Sequence, residues 1–553
     1  MRPRLVGRRV RVLTPRVPTL RTRSPCLLRT FTHHTQLTTK SRPNLPFLSI
    51  PVTSNSVRYF TTERRKWLKH EAKLAVRYTA SFWGLLACAG VILFFVNEEK
   101  LEQEYPTPHE WGWMTRKFLR DSNNSKAPNN GEINWPWSFE LARGLVLRLE
   151  DAKVDGQGVT KLTDRVDPAA EIPGEFNPCD ISGKSEEWRR GYFEAIMLAA
   201  KGAEHVDSWV RDLSRNIISP PEFVIGPSNP RPAPIPPGQP HAPREEDCEV
   251  AYPSADNFYM KILATKGLTS RQKLEATLEY ASYMEFKNQP EGAEALYNLA
   301  LAEATQGVDM ANPPYNPKTF ILNDKAGPPS QNVLDAVTAM ATFKARSGNI
   351  DSALPIYLSL LKARRSLSND PPAATHVRPK APSSLDNLIR IFLQADYPPP
   401  PPDGTQSPWR SPHERCQEAS LSLWIGEILF ASSSKDDGLS WTRDSVDVAE
   451  EQLRNMDLAT ADKAAKKTCR ECLGEGLKNW SRMVAKLARE EQQRQEKGST
   501  KSGVFSFWSG TPPNAEDRWT AEDAVVKERV RRTRELIEDL TPAGPNLASL
   551  FKA

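Results

Sequence analysis

Nineteen consecutive residues, Tyr78 to Val96, carry no charge. At about 1.5 Å rise per residue a helix of this length reaches roughly 28 Å, close to the thickness of a bilayer's hydrocarbon core. A chain holding such a run must either bury it or place it in lipid, and the flanks favour lipid. Arg64, Arg65, Lys66, Lys69, Lys73 and Arg77 precede it, whereas Glu98, Glu99, Glu102 and Glu104 follow it. Lysine and arginine stay on the side from which a segment is inserted, because carrying them through lipid is costly. The expectation is one transmembrane helix over 78–96, with a stub of 61–77 on one side and the bulk of the chain on the other. Tyr78 and Trp83 suit the headgroup level. Gly84 and Gly90 stand six apart, the wrong spacing for a Gly-x-x-x-Gly dimer face.

The first sixty residues hold eleven arginines and one lysine with no Asp or Glu. They lack the compact apolar core of a secretory signal. This is the composition of a mitochondrial transit peptide, drawn across a membrane that is negative inside. Arg58-Tyr59-Phe60-Thr61 looks like the arginine-minus-three cleavage motif of matrix-processed precursors, which places cleavage between Phe60 and Thr61. A presequence over 1–60 followed by one span predicts a single-pass protein of the mitochondrial inner membrane. Its N-terminus would face the matrix and its C-terminal domain the intermembrane space.

Residues 78–553 carry 56 basic against 66 acidic side chains. The basic balance of the whole chain therefore belongs to the N-terminal segments, and nucleic acid is not an expected partner. Seven cysteines occur. Cys26 falls in the presequence and Cys88 in the span. Cys179, Cys248, Cys416, Cys469 and Cys472 remain, without the twin spaced pairs of a disulfide-driven import substrate. Cys469-x-x-Cys472 alone has too few ligands for a closed zinc site. It reads as two small core residues on neighbouring turns.

Beyond the span the pattern is helical. Residues 97–132 read as a linker holding a short amphipathic piece near Trp111, Trp113 and Phe118, which could rest on lipid or pack on the domain. Residues 133–496 read as the main helical domain. The apolar residues Trp137, Leu141, Leu145, Val146 and Leu149 recur at helical spacing. Trp188–Ala200 and Ala203–Leu213 read as a pair joined near Gly202, with Ser185 at the start. Ser219–Pro243 holds ten prolines and reads as an extended loop. Ser270–Thr305 reads as two antiparallel helices with a turn over Lys287–Gly292. It resembles a tetratricopeptide (TPR) repeat, a unit of roughly 34 residues. Ala281, Met284, Ala293, Tyr297 and Ala300 fall on its packing positions. A second unit from Leu334 places Ala341, Ala353, Tyr357 and Leu360 on matching positions, with Gly348-Asn349 at the turn. Small residues are needed where the two helices cross closely.

The fold class expected is all-α: a TPR-like helical-hairpin array (an α-solenoid) after one N-terminal transmembrane helix, with long Pro-rich loops. Its groove is expected on the first helices of units 270–305 and 331–365, around Tyr280, Met284 and Lys344. Further helices are expected at Leu385–Ala395, Cys416–Ser432 and Val446–Met456, the last two separated by a loop at Ser433–Gly438. Ala459–Glu496 reads as a long helix or a pair broken at Gly474 and Gly476. Residues 497–553 form a tail with an aromatic cluster at Val504–Trp508 and a last helix over Ala521–Leu540.

The sequence offers no catalytic constellation. It has no His-Glu-x-x-His, no Gly-x-Ser-x-Gly, no phosphate-binding Gly-x-x-x-x-Gly-Lys-Ser/Thr and no Gly-x-Gly-x-x-Gly. His109-Glu110 and His413-Glu414 read as turn or cap pairs. No enzyme activity, cofactor or metal is expected.

Taken together, the arginine-rich presequence, the single span, the segment from Tyr59 to Arg120 with Tyr105-Pro106-Thr107-Pro108-His109-Glu110-Trp111, and the two alanine–tyrosine units resemble one family. It is the fungal TPR-containing adaptor subunit of the mitochondrial inner-membrane i-AAA protease supercomplex. The resemblance implies partners of two kinds, a membrane-bound AAA protease and its misfolded or unassembled protein substrates, with inner-membrane lipid around the span. The catalytic residues would belong to the protease. A scaffold or assembly factor for another inner-membrane complex would use the same groove.

Overall fold

The computed structural model describes residues 62–126, 133–162, 177–235, 241–307, 312–371, 397–456, 463–499 and 515–538. The expected cleavage position Phe60–Thr61, the helix at Leu385–Ala395 and the aromatic cluster at Val504–Trp508 lie outside these residues. The chain divides into two compact units, 1–88 and 89–553.

In the first unit the described residues, 62–88, form the opening part of helix α1 (Thr62–Glu104). This is the one helix among the described residues long and apolar enough to cross a membrane. Phe82 and Trp83 are exposed, and nothing lies within 4 Å of where a Cβ on Gly84 would sit.

The second unit is mostly helical. It begins with the rest of α1, then α2 (Trp113–Ser125), α3 (Trp135–Glu150), α4 (Glu186–His205) and α5 (Ala255–Ala264). Hairpins follow: α6 (Ser270–Phe286) with α7 (Pro290–Ala304), α8 (Gln331–Arg346) with α9 (Ile350–Arg365), and α10 (Pro412–Ser432) with α11 (Lys435–Asn455). Helices α12 (Lys463–Ser499) and α13 (Ala515–Glu538) complete the described chain.

Local chemistry sets the helix starts. Ser185, Ser330, Ser411 and Ser434 each accept a hydrogen bond from a backbone amide of the first turn they precede. Thr269 and Gln272 close a reciprocal capping box. Each supplies an acceptor to donors the helix itself leaves unmatched.

Three expectations are corrected. The domain is not purely α-helical: β1 (Thr160–Lys161) pairs antiparallel with β2 (Cys179–Asp180), and β3 (Val210–Asp212) is the central strand between β4 (Ile217–Ser219) and β5 (Cys248–Val250). These strands are two or three residues long, too short for a period-2 pattern to register. Helix α4 runs unbroken through Gly202, which is packed against Phe139, and the chain after His205 turns into β3 rather than a second helix. Residues Lys435–Gly438 are helical, with Ser434 as their cap. Of the two alternatives for Ala459–Glu496, the structure shows the long helix: over the described residues Gly474 and Gly476 sit inside the continuous α12, and Gly476 lies against Val446.

The two central hairpins repeat at an offset of sixty residues. After α6, Asn288 takes φ 56° and the Gln289 amide bonds the Met284 carbonyl. After α8, Gly348 takes φ 82° and the Asn349 amide bonds the Lys344 carbonyl. A residue with positive φ at the end of the first helix reverses the chain in both hairpins; glycine does so without strain and asparagine tolerates it. Ala281, Ala293, Ala300, Ala341, Ala353 and Leu360 are fully buried, as are the Tyr297 and Tyr357 rings, while Met284 is partly buried.

Three apolar cores succeed one another along the second unit. The first is built on α3, α4 and α5 and reaches into α6, the second on α6 to α9 with part of α10, and the third on α10 to α13. In the third, Cys416 of α10 and Cys469 of α12 form a disulfide, with Cα atoms 4.9 Å apart. Cys472 stays a free, buried thiol beside the Ser445 hydroxyl. Cys469 therefore pairs across helices rather than serving as one of two unlinked core residues. The partner was invisible to spacing because 53 residues separate the two cysteines.

Candidate partner-binding face

The segment 97–132, expected as a linker, carries a buried ionic clamp. Glu98 and Glu102 lie four residues apart, so they share a face of α1. Across from them α2 presents Arg116, Lys117 and Arg120 with similar spacing. Arg120 binds both carboxylates, at 2.8 Å for Glu98, and Arg116 reaches Glu102 at 2.9 Å. Lys117 binds Glu98. The Thr107 amide and hydroxyl donate to Glu102 at 3.0 and 2.7 Å. Burial pushes the Glu98 carboxyl up, but the Lys117 and Arg120 donors outweigh it and hold the group below the usual carboxylate range. For Glu102 burial is likewise outweighed, by Thr107 and Arg116. Charges this buried are stable only when their hydrogen-bonding capacity is largely used; here the carboxylates of Glu98 and Glu102 are matched, while the buried Arg120 Nε has no partner among the described residues. The signal in the sequence was the pair of matched four-residue spacings, in a segment read as a linker.

Trp111 is buried against Gly191 of α4, where an added Cβ would come within 2.6 Å of the indole. Trp113 remains half exposed, its ring 6.3 Å from Phe94 near the end of the apolar run. Phe118 packs under the Arg148 guanidinium. Of the three aromatic side chains, Trp111 and Phe118 pack on the domain.

The expected groove around Tyr280, Met284 and Lys344 is not an open surface. Tyr280 is buried and stacks on Tyr259 of α5 at 5.1 Å. Lys344 pairs with Glu294 of α7 at 2.6 Å. At Tyr280 the reason is that α5 packs on α6 and supplies a neighbour the repeat pattern did not include.

A different face is occupied by an extended strand of the same chain. From Tyr397 to Arg410 the backbone forms no helix or sheet and crosses several helices. At its start, the Arg190 guanidinium of α4 donates to the Pro398 and Pro399 carbonyls at 2.7 and 2.9 Å and lies 4.3 Å over the Tyr397 ring. Burial pushes the Tyr397 phenol up to about 12. Further along, the first amides of α8 are matched: Gln331 donates to the Gln406 carbonyl at 3.1 Å and Asn332 to the Gly404 carbonyl at 3.0 Å. The Asn332 side chain donates to the Asp403 carbonyl at 2.9 Å and accepts from Arg271 of α6 at 3.0 Å. At its end, the Arg410 amide bonds the Ser368 carbonyl at 2.8 Å, and the Arg410 side chain grips Glu418. Beside Arg190 a cavity of about 210 Å³ opens, lined by Asn123, Lys126, Phe193, Met197 and Glu275 among others.

Among the described residues no group of three or more histidine, cysteine or acidic side chains is placed to hold a metal ion. The His109 and His413 positions expected as turn or cap residues lie in a turn and in the first turn of α10. The buried trio of Glu150, Lys261 and Tyr192 pins α3, α5 and α4 together, with Lys261 and Glu150 at 2.5 Å and Tyr192 donating to Glu150 at 3.0 Å. No known family model matches the chain. No curated protein matches it either.

Proposed function

We propose that this chain is a membrane-anchored, non-enzymatic adaptor whose helical hairpins form a TPR-like array that grips segments of other proteins. The observation that carries the reading is the repetition of α6–α7 in α8–α9, with the same buried alanine and tyrosine positions and a left-handed residue at the same closing position. Stacked hairpins of this kind present long continuous faces suited to extended segments or partner helices. An apolar helix ahead of them would confine such a face to the membrane surface and raise its effective concentration around a membrane-bound partner.

On this reading the chain serves a membrane-bound AAA protease of the mitochondrial inner membrane. It collects misfolded or unassembled membrane proteins in the intermembrane space and delivers them for ATP-driven degradation. The Cys416–Cys469 disulfide supports a location outside the reducing matrix, because such bonds persist in oxidising compartments. The second reading, a scaffold for assembly of another inner-membrane complex, draws on the same faces. Affinity purification of the full chain from detergent-solubilised mitochondria separates them: a stoichiometric AAA protease supports the adaptor, and a respiratory or import complex in its place supports the scaffold. Carbonate extraction and protease protection in mitoplasts test the placement. A full chain released by carbonate, or one shielded after the outer membrane is ruptured, would overturn it.

A further inference from the structure

The strand Tyr397–Gln406 is held almost entirely through its backbone carbonyls. Pro398 to Pro402 are five consecutive prolines, and proline has no amide to donate. Such a run is a strip of acceptors, and a surface can hold it only by supplying donors. The face beneath supplies them at both ends: the fork of Arg190 at Pro398 and Pro399, and the first-turn amides of α8 with the Asn332 side chain at Asp403, Gly404 and Gln406. A planar guanidinium takes two acceptors at once with little loss of freedom, and a helix N-terminus offers unmatched amides at no further cost. None of these contacts except the Arg190–Tyr397 stacking reads a side chain of the strand. The prolines themselves are exposed on the other side.

We propose that this donor-lined face is a receptor for extended proline-rich segments, and that Tyr397–Gln406 is its tethered occupant, which a partner's segment of the same chemistry displaces. The interaction surface runs from Arg190 on α4 to Gln331 and Asn332 on α8. Gly404 is the point at which the occupant is most easily dislodged. It takes φ 68°, and a Cβ there would come within 2.1 Å of the Asn332 side-chain oxygen. A side chain at this position is strained by the positive φ and must part the strand from the Asn332 side chain at the α8 terminus.

The test uses the detergent-solubilised full chain in two forms. In one, 397–406 is replaced by a Gly/Ser linker of equal length; in the other, Gly404→Val dislodges the strand. A fluorescent peptide with the sequence of 397–406 is the probe, read by anisotropy. Saturable binding to both variants, at least tenfold tighter than to the unaltered chain, supports the proposal. Arg190→Ala added to either variant should weaken binding about tenfold, as expected for loss of charge-assisted hydrogen bonds. Two results overturn it: no saturable binding by a variant whose circular dichroism matches the unaltered chain, or binding equal in the presence and absence of the native strand. The measurement needs no protease or scaffold partner, so it stands or falls apart from the adaptor reading.

Discussion

Tyr297 of α7 meets Phe343 of α8 with ring centroids 5.1 Å apart. Sixty residues on, Tyr357 of α9 meets Trp424 of α10 at 5.6 Å in the same way. The tyrosine of each second helix thus reaches an aromatic ring on the first helix of the next hairpin, so the repeat unit includes the joint between hairpins. Aromatic pairs contribute beyond the area they bury. A double-mutant cycle on Tyr297 and Phe343 should give a coupling of about 1 kcal/mol, measured by denaturant unfolding. A coupling near zero would mean that the hairpins merely lie side by side.

The alanines at the crossings allow no growth. Ala293 and Ala353 are fully buried in the second core. Ala293→Leu or Ala353→Leu should destabilise the array by about 1–3 kcal/mol, since a close-packed crossing must open to admit the extra volume. Thermal unfolding followed by circular dichroism checks this, and an unchanged midpoint would show the crossing to be loose.

The clamp at the end of α1 should respond to acid. Glu98 and Glu102 are held below the usual range in the folded chain. Their contribution is therefore complete above the ordinary glutamate value of about 4.3 and is lost as pH falls through their lower folded values. Proteolysis over 105–112 should accelerate below about pH 4. At neutral pH, Arg120→Ala should destabilise this region by about 3 kcal/mol, by leaving buried carboxylates short of a partner. Cleavage kinetics indifferent to both changes would show that the clamp does not hold the segment.

The disulfide closes a loop of 53 residues across the third core. Loop-closure entropy puts the stabilisation at up to about 4 kcal/mol. Reduction, or Cys416→Ala, should lower the unfolding midpoint of α10–α13. Cys472→Ala should leave the link intact, seen as an unchanged number of alkylatable thiols before and after reduction apart from the one removed. If reduction leaves the midpoint unmoved, the bond is not a staple.

Gly191 governs how residues 108–111 dock. Its Cβ position lies 2.6 Å from both Pro108 and the Trp111 indole. Gly191→Ala should displace Trp111 and cost about 1–3 kcal/mol. Tryptophan fluorescence shifted to longer wavelength would report the newly wetted indole, whereas an unshifted spectrum would refute the contact.

By itself the sequence determined what depends on neighbours along the chain. The uncharged run of 78–96, the helix start at Ser185, the helical spacing of α6 to α9 and the alanine–tyrosine positions are all local patterns, and periodicity reports local patterns. The tertiary structure alone decided which distant groups meet. Cys416 found Cys469, Arg120 found two glutamates on α1, and Tyr280 was covered by Tyr259, so the groove expected at Tyr280 closed. Arg190 met Pro398 and Pro399 from over two hundred residues away. Four-residue spacings marked the faces of Glu98/Glu102 and Arg116/Arg120, but which faces and residues meet is set in every case by how helices pack in three dimensions.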